Sequence, residues 1–148
     1  MDSMLQSNRE IAGVLKQYNV SAATDVTGFG LIGHLLEMLS TSELQAELRL
    51  EDVPLLAGAL ELSGAEFRST LYPQLQPYLL QCDIKAGLDD KQVDILLDPQ
   101  TSGGLLLALP AHEARRLTQD FPAVVVIGQI ESAQSGSAAT AGKRIRIC

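Results

Sequence analysis

Cysteine is scarce in this 148-residue chain: Cys82 and Cys148 are the only two. They lack the spacing of a metal site. Two such cysteines in a domain of this size are expected as free thiols in a reducing, cytoplasmic setting. Basic clusters are missing as well. No run of five Lys or Arg occurs, and the net charge is −7. A nucleic-acid surface needs concentrated positive charge, so nucleic acid is not an expected partner. Long apolar runs are also absent; none reaches the roughly 18 residues of a membrane span. The stretch MDSMLQSNRE has no basic segment followed by an apolar one, so a secretory signal is not expected. No internal repeat is visible. What remains is a chain with 46% hydrophobic and 20% charged residues, long enough for one domain with a real core.

The densest chemistry lies at Ala23–Gly33, ATDVTGFGLIG. Val20-Ser21-Ala22-Ala23 before it is small and partly apolar, which suits a short strand running from Val20 to Thr24. After it, Leu31, Ile32, Leu35, Leu36 and Leu39 recur at helical spacing. Asp25 to Gly30 therefore reads as a strand-to-helix turn. Such a turn presents backbone N–H groups and the positive end of a helix dipole, a place for an anion. An aspartate there would repel a phosphate unless a cation sat between them, as Mg²⁺ does. Gly30, Gly33 and Glu37 fall opposite the apolar stripe, facing either solvent or a close neighbour. A second passage, Asp98–Gly104, reads DPQTSGG and precedes the apolar run Leu105–Leu109. Its proline breaks regular structure and its small residues leave the backbone approachable.

The remaining pattern supplies alternating helices and strands. Ser7 and Glu10 fit a capping box for a helix of about 11 residues carrying Ile11, Val14, Leu15 and Tyr18. Leu44–Glu51 alternates apolar and polar residues, as a half-exposed strand does. Pro54 suits the first position of a helix that Gly64 would cap. Glu66–Leu88 reads as a loop with one short helix near Gln74–Cys82. Val93–Leu97 reads as a strand or approach segment. Gly104–Leu109 and Ala123–Ile127 read as buried strands flanking a helix over Ala111–Phe121, the second strand carried on through Gly128 to Ile130. Gln134–Gly142 is Ser/Ala/Gly-rich and expected as a mobile hairpin loop. Arg144–Cys148 is a final strand. The intermixing implies a layered α/β domain, and the alternation in one strand alone implies a mixed sheet.

Together, ATDVTGFGLIGHLLEM and DPQTSGGLL resemble the C-terminal domain of the selenophosphate synthetases, the selenide, water dikinases. These share a superfamily with aminoimidazole ribonucleotide synthetase, thiamine-monophosphate kinase and a hydrogenase maturation factor. The resemblance runs from about Leu5 to about Ile130. It implies a three-layer α/β/α sandwich with a mixed sheet, in which residues 1–148 form one C-terminal domain. The N-terminal ATP- and selenide-handling domain, with its glycine-rich loop, reactive cysteine or selenocysteine and lysine, is not part of the sequence. The reaction implied for the longer protein is selenophosphate formation from selenide, ATP and water, with release of AMP and phosphate. This segment alone is expected to be inert. A homodimer is implied for the longer enzyme. A different enzyme of the superfamily, or a non-catalytic assembly domain, is the alternative.

By the same resemblance Asp25 helps to hold Mg²⁺ at the ATP phosphates. Thr27 and Gly28 lie at the nucleotide side, and Thr101, Ser102 and Gly103 shape the cleft beside them. No catalytic residue is implied in this domain. Each assignment has a plainer counterpart. Asp25 can close a turn, and the Thr27 hydroxyl is expected to cap the helix, with contact to water on the metal as the alternative. His34 reads as a satisfied, partly buried histidine, and His112 as a solvated one. Asp89, Asp90 and Asp94 read as solvated charge, not as a metal cluster. Cys82, among apolar residues with no adjoining base, is not a nucleophile. Many relatives carry Gly-Gly-Thr and an asparagine after the Pro54 segment, where this chain has Phe67–Gln74. The stretch Ser69–Pro73 is expected to be mobile.

Overall fold

The computed structural model describes residue 5 and residues 7–64, 66–132 and 142–148. Helices and strands intermix in an α/β arrangement. The helices are α1 (Arg9–Val14), α2 (Gly30–Leu39), α3 (Ala59–Leu62), α4 (Tyr72–Leu75), α5 (Asp90–Ile95) and α6 (Ala111–Asp120). The strands are β1 (Ala22–Asp25), β2 (Leu44–Leu48), β3 (Cys82–Ile84), β4 (Leu105–Ala108), β5 (Gly128–Ser132) and β6 (Ile145–Ile147). One sheet is the antiparallel pair β1–β4, with Asp25 opposite Leu105. The other has the order β3–β6–β2–β5. It is mixed: β6 runs parallel to β2 and β3, and β5 runs antiparallel to β2.

Alternation decides what this sheet buries. Ala46 and Leu48 of β2 and Ile145 and Ile147 of β6 point inward, onto Ile32, Leu35, Leu36 and Leu39 of α2. Full burial of each of these leucines and isoleucines contributes about 1.5–3 kcal/mol. Between the two inward isoleucines, Arg146 lies on the other face and pairs with Glu47 at 2.9 Å and Glu131 at 3.0 Å. Arg144 ends α2. Its guanidinium donates to the carbonyls of Leu39 and Ser42, the latter at 2.8 Å. These are among the carbonyls that a helix C-terminus leaves without partners. Tyr18 donates to Asp120 at 2.6 Å, while Arg116 stacks 4.3 Å above the Tyr18 ring. The contact ties the first helical segment to α6.

Several expected elements form differently. The first helix is six α-helical residues followed by a 3-10 turn over Leu15–Gln17. Its N-cap is Asn8, and Ser7 accepts only from Arg9 N–H. Pro54 starts no helix: a 3-10 turn at Leu50–Asp52 comes before it, and α3 begins only after Gly58, whose φ is +81°. Gln74–Cys82 is a run of α4 and 3-10 turns, and it leads into β3, a strand the sequence did not announce. Val93–Leu97 is not a strand; α5 covers Val93–Ile95 and a turn follows at Leu96 and Leu97, the helix being opened by Asp89, whose carboxylate accepts from Lys91 N–H at 3.0 Å. Ala123–Ile127 is not a strand either, although its expected continuation through Gly128 to Ile130 is. The ladder to β2 pairs Ala46 with Ile130, so β5 begins at Gly128 and leaves Val125 and Val126 exposed. Most of the expected loop at Gln134–Gly142 lies outside the described residues.

Asp94 corrects the reading of solvated charge. It is only 8% exposed. Arg68 donates to its Oδ2 through Nε at 3.0 Å and through a second, shorter bond, and Tyr72 donates to Oδ1 at 2.5 Å. Arg68 also stacks 4.2 Å over the Tyr72 ring. The stretch Ser69–Pro73, expected to be mobile, is thus clamped to α5 through Tyr72 and the adjoining Arg68. Burial, then the bond to Asp94, raises the Tyr72 hydroxyl above its ordinary range. Asp94→Ala should cost about 2 kcal/mol, below the cost of breaking a fully buried pair because Arg68 reaches solvent. Urea unfolding of the substituted and parent chains checks this; equal midpoints would make the clamp energetically empty.

Both cysteines are free thiols. Cys82 is buried, and burial pushes its thiol up to about 11, a nearby Lys143 opposing weakly. Between about 9 and about 11, the unfolded thiol ionises while the folded one keeps its proton. The folded state then binds more protons, so stability falls as pH rises through this window. Unfolding measured at pH 8.5 and 11 should show a smaller decline in Cys82→Ala than in the parent. An identical decline in both would mean that other groups carry it.

Candidate functional site

The two motifs meet. Asp25 ends β1 and Leu105 opens β4, so pairing of these strands sets the turn after Asp25 beside the loop before Leu105. Three backbone contacts close the junction. Val26 N–H donates to Gly104 at 3.0 Å, and Gln100 N–H donates to Thr27 at 3.0 Å. Gly103 lies so near Val26 that a β-carbon there would overlap the Val26 carbonyl oxygen. From the other side Asn8 donates its side-chain amide to Gly103 at 2.9 Å. Sequence reasoning missed Asn8, although asparagine before a helix was the available signal.

Gly103→Ala should therefore push the loop off the turn. Forced overpacking of this kind costs about 1–3 kcal/mol. Thermal unfolding and the amide shifts of Val26 and Thr27 are the measurements. Unmoved shifts with an unchanged midpoint would refute the tight contact.

α2 begins abruptly at Gly30, where φ is +65°. A side chain there would meet the Leu97 carbonyl carbon at 2.7 Å. The glycine face opposite the apolar stripe is thus covered by this chain itself: Leu96–Leu97 against Gly30, and the Tyr78 ring against Gly33. The helix N-terminus is not an open anion cradle. Ile32 N–H donates to the Leu96 carbonyl at 3.1 Å, and Gly30 N–H to Thr27 at 3.1 Å.

Thr27 does not cap α2 through its hydroxyl. The N-cap is Phe29, without a side-chain bond, and Thr27 Oγ1 lies 3.1 Å from His34 Nε2. His34 is buried, and Phe29 tilts over it with ring centroids 5.4 Å apart. Gly28 is exposed, with open space around its α-carbon. Thr101 and Ser102 are exposed on the second loop. Asp98 is exposed and accepts from the Gln100 amide at 3.3 Å. Partial enclosure raises its carboxyl above the ordinary value, and the Gln100 bond opposes this.

Asp25 is exposed at the strand end, and no cation among the described residues pairs with it. It does not line the large apolar cleft of about 1330 Å³, which touches Val26, Gln100 and Gly103. Asp25 stands at the end of β1 beside the Asp98–Gly104 loop, and it shares the outward face of the alternating strand with Ala23. Among the described residues no three His, Cys, Asp or Glu side chains converge as a metal cage. One outward carboxylate fits Mg²⁺ as a partial ligand, since that ion keeps several waters and takes one or two carboxylates beside phosphates. His112 is exposed, and Asp89 is spent as a helix cap. Among the described residues no helix is long and apolar enough to cross a membrane.

Similarity to known proteins runs nearly the whole length. The family described as AIR synthase related protein, C-terminal domain, matches residues 1–140. A protein named selenide, water dikinase from Clostridioides difficile (strain 630) is 32% identical over 145 residues, 97% of this chain and 41% of its own length. Another of that name, from Shewanella sp. (strain MR-4), is 39% identical over 146 residues, 95% of this chain and 38% of its own. A third, from Carboxydothermus hydrogenoformans, is 39% identical over 120 residues, 80% of this chain and 35% of its own. The chain thus spans about two fifths, or less, of these curated relatives. It belongs to the AIR synthase related proteins, matching their C-terminal domain.

Proposed function

We propose that this chain, residues 1–148, is the C-terminal domain of a selenide, water dikinase. The observation that carries the reading is the docking of Asp98–Gly104 on the Asp25–Thr27 turn, which builds one edge from both motifs. The likeness to the named dikinases supports the substrate assignment. In this reading the longer protein converts selenide, ATP and water to selenophosphate, AMP and phosphate. A resident Mg²⁺ would neutralise phosphate charge during transfer. Asp25 supplies this domain's carboxylate to it. Thr27 and Gly28 face the hydrated ion and nucleotide, and Thr101, Ser102 and Gly103 hold the neighbouring wall. Partners are the N-terminal domain, ATP and selenide. The assembled enzyme is a cytoplasmic homodimer.

The direct test joins this chain to the N-terminal part of the Shewanella dikinase. AMP release should depend on both selenide and Mg²⁺. ATP hydrolysis indifferent to selenide, by a fusion shown to be folded, would point to another enzyme of the superfamily.

A further inference from the structure

His34 sits between two groups that compete for one imidazole proton. Its Nε2 is 3.1 Å from Thr27 Oγ1. Its Nδ1 lies 3.5 Å from Glu37 Oε2, one turn along α2, and makes no hydrogen bond. His34 itself is 6% exposed, whereas the Glu37 side chain is 66% exposed. A neutral imidazole carries one N–H and one lone pair. With the proton on Nε2, a bare Nδ1 lone pair would face a carboxylate. With the proton on Nδ1, the N–H faces that carboxylate, and Nε2 accepts from the Thr27 hydroxyl. Coulomb attraction selects the second arrangement.

The choice fixes what Thr27 can bind. A hydroxyl has a single hydrogen, and here it is turned inward to His34. Its remaining lone pairs make it an acceptor. The turn then offers acceptors from the Asp25 carboxylate and from Thr27, while the N–H groups of Gly30 and Ile32 are spent on the Thr27 and Leu96 carbonyls. Acceptors suit the water of a hydrated cation and repel bare phosphate oxygens. We infer that His34, oriented by Glu37, is a positioning residue that sets the Thr27 hydroxyl to accept from water carried by a divalent cation. The inference rests on the reading of Asp25 given under the proposed function.

Two measurements test it. Nitrogen NMR of this chain should show the His34 ring protonated at Nδ1 and bare at Nε2. The signals are assigned by their loss in His34→Gln, with His112 as the only other histidine. A ring protonated at Nε2 overturns the inference. In the fused dikinase, His34→Gln places a carbonyl near the Nε2 position and His34→Asn places one near Nδ1. Asn should raise the Mg²⁺ needed for half-maximal rate by about tenfold, and Gln by no more than about twofold, the scale of an outer contact to a metal site. Equal losses in both variants would mean mere packing and overturn it. Failure of the unsubstituted fusion to make AMP overturns the dikinase reading instead, and the tautomer alone then decides whether the Thr27 orientation stands.

Discussion

Asp25→Asn in the fused dikinase is expected to lower turnover roughly a hundredfold or more, the scale on which single electrostatic contacts to a reacting centre act. The fold should not change. Asp25 is held in the β1–β4 ladder by its backbone, opposite Leu105, and its side chain faces outward without a cation partner among the described residues. Asparagine keeps the shape and removes the charge. Mg²⁺ parts with its waters reluctantly, so losing one carboxylate weakens its hold at the phosphates. The loss should be greatest at limiting Mg²⁺ and partly recovered at high Mg²⁺. Steady-state AMP formation across a Mg²⁺ titration measures both, with thermal unfolding as the control. An unchanged rate at limiting Mg²⁺ would remove Asp25 from the metal site.

How much of this was legible beforehand depended on the range of the interaction. β2 was visible because its alternation is local: Ala46 and Leu48 turn inward without help from distant residues. α2 was visible for the same reason, through a stripe that repeats every turn. Asp94 was not. Asp89 and Asp90 precede it on the same acidic stretch, and the groups that bury it, Arg68 and Tyr72, lie 26 and 22 residues away. The start of β5 was set too early, at Ala123, because a run of valines suits a strand anywhere; its continuation through Gly128 to Ile130 was read. Only the pairing of Ala46 with Ile130 tells which residues join the sheet. α5 was misread because Val93, Ile95 and Leu97 suit a strand, whereas the Asp89 cap favours a helix.

The candidate site shows the same division. Asp25 and the DPQTSGG loop could be chosen from residue types, since glycine and small polar residues mark backbone approach. Their meeting could not be computed from spacing; it follows from the antiparallel pairing of β1 with β4. The Thr27 hydroxyl was expected at the helix cap, a local role. Gly30, with its positive φ, turns the chain so that Thr27 reaches His34, seven residues on. A backbone conformation that only glycine adopts readily thus decided a side-chain partner.

The chain by itself should fold and form no AMP. Folding is expected because α2 and the four-stranded sheet enclose a continuous core, with Ile32, Leu97 and Ile147 fully buried. A domain of this length can stand on such a core. The chemistry is a different matter. Asp25 is one outward carboxylate, and among the described residues no cluster of metal ligands supports it. Cys82 is buried and held as a thiol by its surroundings, so it offers no thiolate to selenide. Alignment of nucleotide and acceptor supplies most of what phosphoryl transfer requires, and one wall of a site aligns neither. Cooperative unfolding should therefore accompany a background rate of AMP formation from ATP, Mg²⁺ and selenide under reducing conditions. Joining the N-terminal part should raise that rate from background to turnover. Selenide-dependent AMP from the chain alone would place the reacting groups within residues 1–148 and overturn the division of labour drawn from the Asp25 edge.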